Sequence, residues 1–237
     1  MPKIFKENIT QEKLLEILKG IWGTLKKSSW RYIVDFIKAM PSLQQMFYTC
    51  TFNEYFLEQF IDLIREGNQL VKIETAKVLH RFLRANQSQK KRESILSTMM
   101  KLKNSKSYYE RISFVEFAKA SVDNFSCNFL RTQGILDALI ELANDKVLTM
   151  RIRVIRAIHY IVPKVKKDVQ EILEAVINEL CNDSNKDIKE EANKTLKECK
   201  ELIANESLQK EIEEKDSIRE AEENSITDIV VLYLIRE

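Results

Sequence analysis

Four glycines and three prolines in 237 residues leave little material for tight turns. A sheet of many strands needs a turn every few residues, so this scarcity argues against a β-rich fold and for an all-α one. It also removes phosphate-cradling loops: the chain has no GxGxxG, no GxxxxGKS or GxxxxGKT, no HExxH and no GxSxG. The four cysteines, Cys50, Cys127, Cys181 and Cys199, form no CxxC pair. They read as buried, reduced thiols in an intracellular protein. No stretch approaches the ~20 apolar residues of a membrane span. The opening MPKIFKENIT has no apolar run after its first lysines, unlike a secretory signal. The expectation is a soluble protein of the cytoplasm or nucleus, with no membrane contact. The net charge of +2 gives no whole-chain argument for nucleic acid.

What the chain does have is apolar residues at helical spacing, and its hydrophobic share of 44% suffices for a sizeable core. The clearest stretch is ILDALIELANDKVLTMRIRVIRAIHYIVP, residues 135–163. Leu136, Leu139, Ile140 and Ala143 predict one inward face, and Ile152, Ile155, Ile158 and Tyr160 or Ile161 a second. Asn144, Asp145 and Lys146 make the turn between them, and Pro163 stops the second helix. A pair this short cannot bury its apolar face alone and needs neighbours of the same kind.

Such neighbours recur along the chain. Residues 8–21 predict a helix with an Asn8/Gln11 capping box and a Leu14, Leu15, Leu18, Ile21 stripe, broken by Gly23 and the Lys26, Lys27, Ser28 cluster. Trp30–Met40 follows, facing inward with Ile33, Phe36 and Ile37 and ended by Pro41. Residues 42–52 read as a connection or short helix. Asn53–Arg65 carries Phe56, Phe60, Leu63 and Ile64, and Gly67 suits the position after a helix end. Leu70–Leu83 buries Val71, Ala76, Leu79 and Leu83. Residues 88–102 form a thinly apolar helix (Ile95, Leu96, Met99, Met100, Leu102). Ser107 with Glu110 caps a helix from Tyr108 to Val122, and another starts near Asn128. Asp168 with Glu171 caps the helix of Ile172, Leu173, Val176, Ile177 and Leu180. Asp187 with Glu190 caps the helix running to about Ile203.

Aligned on a cation in the first turn of each second helix, the copies fall at Arg31, Lys72, Arg111, Arg151 and Lys189, at steps of 41, 39, 40 and 38 residues. Glu66, Asp145 and Asp183 stand six residues before three of these cations, and Ser105 before Arg111. Acid and cation can pair within one repeat or between neighbours, and a ladder of such pairs would fix the stacking. The fold class is therefore all-α: an α-solenoid of about five helix pairs over residues 8–203. Residues 206–223 hold eight acids and three bases, so 204–225 read as a charged helix extension or linker, and 226–237 as an apolar C-terminal tail. Trp22 and Trp30 give the first pair more apolar surface than a finished end needs, which predicts a neighbour or partner there.

An acid in the turn, an apolar residue followed by Arg or Lys, and an apolar second helix is the HEAT pattern. ANDKVLTMRIRVIRAI, with YYERISFVEFAKAS before it and KDVQEILEAVINELCNDSNKDIKEEA after it, resembles the HEAT-repeat scaffold and regulatory subunits of 2A- and 4-type serine/threonine phosphatases. SSWR at residues 28–31 is similar to a repeat opening in the same group. The resemblance is clearest over residues 107–200 and looser over 28–106. It implies an armadillo/HEAT-like superhelix and protein partners, a phosphatase catalytic subunit among them; with none of the catalytic motifs above present, the chain reads as a non-enzyme with no cofactor or metal. The resemblance further implies that the turns inside each repeat are the binding ridge. Here those turns supply Arg65, Asn68, Gln69, Lys103, Lys106, Asn144, Lys146, Leu148, Asn182 and Lys186.

Two residue sets test other functions. His80 and His159 occupy one repeat position two repeats apart, too far to share a metal, and read as core or groove histidines. Residues 72–119 hold twelve Lys or Arg against four Glu, a net +8. That stretch offers the alternative function, nucleic-acid backbone held on a basic solenoid face.

Overall fold

The computed structural model describes residues 11–44, 49–85 and 89–234, with side chains at 12–43, 55–84 and 90–225. The Asn8/Gln11 cap and the side chains of Cys50 and of the apolar tail lie outside the described residues. The chain divides into two compact units, residues 1–86 and 87–237.

In the first unit, α1 (Gln11–Leu25) and α2 (Trp30–Gln44) are followed by α3 (Thr49–Glu66) and α4 (Gln69–Ala85). α4 packs on both α3 and α2. The core is a run of rings: Trp22 on Phe36 at 5.3 Å, Phe36 to Phe56 at 6.0 Å, Phe56 to Phe60 at 6.1 Å and Phe60 to Phe82 at 5.4 Å. Each such contact adds about 0.5–1.5 kcal/mol beyond burial. Trp22 belongs to this core, and its Nε1–H donates to Gln59 at 2.9 Å. It offers no docking surface, whereas Trp30 and Tyr32 are exposed.

Several expectations for this unit change. α1 runs through Gly23 to Leu25, and its buried stripe is Leu15, Leu18 and Trp22, leaving Ile21 exposed. Pro41 lies inside α2, in its last turn. There the missing N–H costs a single intrahelical bond. Gly67 does not take a left-handed conformation. It is required because a Cβ there would stand 2.5 Å from both the Leu63 carbonyl oxygen and Val71 Cγ1.

The second unit contains α5 (Gln89–Lys103), α6 (Tyr108–Ser121), α7 (Cys127–Thr132), α8 (Ile135–Glu141), α9 (Leu148–Ile161), α10 (Lys167–Leu180), α11 (Lys186–Ile203) and α12 (Glu206–Leu234). Short 3-10 turns follow α8 and α9. Gly134, at φ +66°, breaks what would be one long helix into α7 and α8. The second helices stack in series, α6 on α9 and α9 on α11, while α5 pairs with α6 and α10 with α11. Serial packing of like helix pairs is an α-solenoid. Pro163 sits just past the end of α9, as its fixed φ and missing N–H lead one to expect.

The helix starts differ from the sequence signals. Ser107 precedes α6 but makes no side-chain cap, and Lys166, not Asp168, is the residue at the α10 start. Asp168 instead meets Arg131 at 2.7 Å. α11 is capped by Asn185, whose Oδ1 accepts from the Asp187 and Ile188 N–H groups at 2.9 and 3.3 Å. Ile172 points outward, as does Tyr160, and Ile161 takes the inward position.

The acidic stretch is helical, and one face of it is buried. α12 turns back after Asn205 and places Ile212 and Asp216 against the 3-10 turn after α9 and the start of α7, with Asp216 fully buried. No described helix is long and apolar enough to cross a membrane.

Candidate partner-binding ridge

Three of the five aligned cations, Lys72, Arg111 and Arg151, share one task. Arg111 Nη1 donates to the Ser105 carbonyl, six residues back, at 2.8 Å, and Arg151 Nη1 does the same to the Asp145 carbonyl at 2.8 Å. In the first unit, Lys72 Nζ donates to the Ile64 and Arg65 carbonyls at 2.8 and 2.5 Å. Each of the three closes its own turn: Arg111 and Arg151 satisfy carbonyls of the turn itself, and Lys72 satisfies the last carbonyls of α3. The regular spacing therefore reflects a recurring local structure.

The side-chain pairing is between neighbours. Arg111 grips Asp145 of the next repeat, Nε to Oδ2 at 2.6 Å and Nη2 to Oδ1 at 3.0 Å. Arg151 grips Asp183 of the repeat after that, Nε to Oδ2 at 2.9 Å. Each acid also shapes its own turn, because Asp145 accepts from the Val147 N–H and Asp183 from the Asn185 N–H, both at 2.8 Å. The Asn185 N–H, helped by Arg151 and opposed by burial, holds Asp183 below the usual carboxylate range. The ladder is thus Arg111–Asp145–Arg151–Asp183. It does not include the outer copies: Arg31 is exposed over the Trp30 ring at 4.7 Å, and Lys189 is exposed.

This ladder sets the turns side by side as a ridge. Lys106 and Lys146 are exposed and line one cleft of about 430 Å³ with Asn104, Arg111, Glu141 and Asp145. Lys103 lines it too, but its ammonium is committed to Glu141. Asn144, Asn182 and Lys186 are exposed on the same set of turns, and Lys186 lies 3.5 Å from Glu190. Leu148 is half-buried as the first residue of α9. In the first unit, Asn68 is exposed but its Oδ1 caps the Val71 N–H at 3.1 Å, Arg65 lies 3.8 Å from Asp62, and Gln69 is half-buried.

The basic stretch is less available than its charge suggests. Lys72 and Arg111 are buried, Lys103 pairs with Glu141, and Lys119 meets Glu116 at 3.1 Å. The two histidines have different surroundings: His80 is in the core with Nδ1 on the Ala76 carbonyl, and His159 is at the surface, 2.9 Å from Glu198. Among the described residues, no three His, Cys, Asp or Glu side chains cluster as metal ligands would. Cys127 and Cys199 are buried and free, and Cys181 is partly exposed.

Sequence reasoning missed the pairing of Lys103 with Glu141. It also missed the docking of Asp216, Glu220 and Glu223, although their i, i+4, i+7 spacing already puts them on one helix face.

The serial packing and the shared turn geometry define a helical-repeat protein, an α-solenoid. No family model matches the chain. It is distantly homologous to the human and mouse proteins named serine/threonine-protein phosphatase 4 regulatory subunit 4, at 27% identity over 207 residues in each case. The match covers 82% of this chain and 22% of those proteins. The chain is also similar to solved designed armadillo repeat proteins, one made for modular peptide recognition and one in complex with the peptide (KR)4. Both are 17% identical, with a TM-score of 0.38, covering 58% of this chain and 62% of those.

Proposed function

We propose that this chain is a non-catalytic scaffold or regulatory subunit, and that it serves a serine/threonine phosphatase of the 2A or 4 type. The observation carrying this reading is the distant homology to a phosphatase 4 regulatory subunit across 82% of the chain. The ridge supplies a physical means. The Arg–Asp ladder holds successive turns in register, so that Lys106, Asn144, Lys146, Asn182 and Lys186 form one exposed row. Binding energy at such a row comes from simultaneous contacts along it, so the spacing of the repeats is part of the recognition. The mechanism is positioning: the array holds a catalytic subunit and brings other subunits or substrate to it.

Mixing the full chain with purified 4-type or 2A-type catalytic subunit and running the mixture by size exclusion tests this. Co-elution is expected. Failure with both enzymes contradicts the phosphatase reading. A salt-sensitive mobility shift with RNA or DNA in their place would favour the basic stretch as the working surface instead.

A further inference from the structure

The solenoid has a second edge, opposite the turn ridge, where each second helix hands over to the next repeat. α12 lies across this edge and binds it almost entirely through polar groups. Asp216 Oδ1 accepts from the Cys127 N–H at 2.8 Å, and Oδ2 meets Lys166 Nζ at 2.9 Å. Glu223 takes the Ser126 N–H and Oγ–H at 2.7 and 2.5 Å, and Glu220 takes Asn128 Nδ2–H at 3.1 Å. Arg219 donates to the Val122 and Lys164 carbonyls at 3.1 and 3.3 Å. Ile212 is the one apolar side chain of α12 among the described residues that is buried.

We infer that this edge, from Val122 to Asn128 and from Lys164 to Lys166, is a recognition surface for an acidic helix, and that α12 is its intramolecular occupant. The partner it fits is a helix carrying an apolar residue, Asp, Arg, Glu and Glu at the spacing of Ile212, Asp216, Arg219, Glu220 and Glu223. The reason lies in how α12 is held. A helix that belonged to the core would bury a continuous apolar stripe, as α10 does with Val169, Leu173, Val176, Ile177 and Leu180. Over its described side chains, residues 206–225, α12 buries one apolar residue, Ile212, and one carboxylate, Asp216, and matches the half-buried Glu220 and Glu223 to donors. The Lys166 pairs with Asp216 and Glu220, on a lysine that is about one-third exposed, weaken with salt, and the remaining contacts go to neutral donors and carbonyls that a competitor of the same pattern can take over. While α12 is docked, an external helix binds only to the open fraction, so its apparent affinity is reduced by that fraction. The surface lies away from the turn ridge, so this inference stands whether or not the ridge binds a phosphatase.

The test uses a fluorescent helical peptide with those five residues at α12 spacing on an alanine and glutamine background, and a scrambled control. The full chain carrying Asp216→Asn, Glu220→Gln and Glu223→Gln, which frees the surface, is expected to bind it about tenfold tighter than the unmodified chain and to ignore the control. Adding Lys166→Glu should abolish binding. Equal binding to both chains, no binding to either, or indifference to Lys166 overturns the inference. If the triple variant does not fold, hydrogen exchange on the unmodified chain decides. Amides of residues 206–225 should lose protection as salt rises from about 0.1 to about 0.5 M while those of α9 and α11 keep it. Loss of protection in all three together, or in none, overturns the inference.

Discussion

Arg111 and Asp145, on neighbouring repeats, meet through two hydrogen bonds of 2.6 and 3.0 Å, and both side chains are buried. Desolvating two charges is costly, and the pair recovers that cost through bidentate geometry and further bonds. Arg111 also donates to the Ser105 and Lys106 carbonyls, and Asp145 also accepts from the Val147 N–H. Removing one partner leaves the other buried and uncompensated. Asp145→Ala is therefore expected to destabilise the chain by about 3–5 kcal/mol. Arg111→Met together with Asp145→Asn should cost clearly less than the two single losses combined. Urea unfolding followed by circular dichroism measures both; additive losses would mean the two residues act independently.

Gly67 and Gly20 should respond in opposite directions to alanine. At Gly67 the new Cβ meets backbone and Val71 at 2.5 Å, so Gly67→Ala should cost about 1–3 kcal/mol. At Gly20, inside α1, nothing lies within 4 Å of the new Cβ, and Gly20→Ala should stabilise by about 0.5–1 kcal/mol. Thermal melts of the two variants read out the sign directly.

α12 docking should have a broad pH plateau. Burial alone would raise Asp216, but Lys166, the Cys127 N–H and Arg219 outweigh it and hold the carboxyl below its ordinary 3.8. Its contribution is therefore fully present above pH 3.8 and is lost as pH falls through its lowered value. The hydrogen bond to Asp216 raises Lys166 above 10.5, with Glu220 adding to the effect. That contribution is fully present below pH 10.5 and is lost as pH rises past the raised value. Amide protection in residues 206–225 should be flat between these limits and fall outside them. A transition near neutral pH would contradict this network.

The thiols should separate by reactivity. Burial pushes Cys127 up to about 12, with Asp216 adding to the effect, and pushes Cys199 up to about 11. The thiolate is the reactive form, so iodoacetamide at pH 8 should modify partly exposed Cys181 well before Cys127 or Cys199. Peptide mapping over time gives the order.

The repeat was legible in the sequence because its marker is local. A cation one turn into a helix must close the turn behind it, so Lys72, Arg111 and Arg151 recur at nearly constant spacing. The neighbour pairing was legible as a possibility, since Asp145 and Asp183 stand six residues before a cation, but spacing alone does not say which repeat each acid serves. Helix starts were harder to read. A Ser or Asp three residues before Glu is common in a chain this charged, and only the path of the turn decides that Asn185 rather than Asp187 makes the cap. Over residues 206–225 the docking of α12 left little apolar period to detect. Its inward face is Ile212 followed by carboxylates, and a carboxylate stripe looks like a solvated face until its donors are located. Gly67 shows the same limit, because the close approach of Val71 that requires it is a tertiary fact.

The most direct test of the proposed scaffold role is the affinity of the full chain for a purified 4-type catalytic subunit by titration calorimetry, with and without Lys106→Glu and Lys146→Glu. Both lysines are exposed and line the cleft between neighbouring turns. The account predicts measurable binding that weakens about tenfold or more in the double variant, with helicity and melting temperature unchanged. Absence of binding, or binding that the double variant leaves intact, would contradict it.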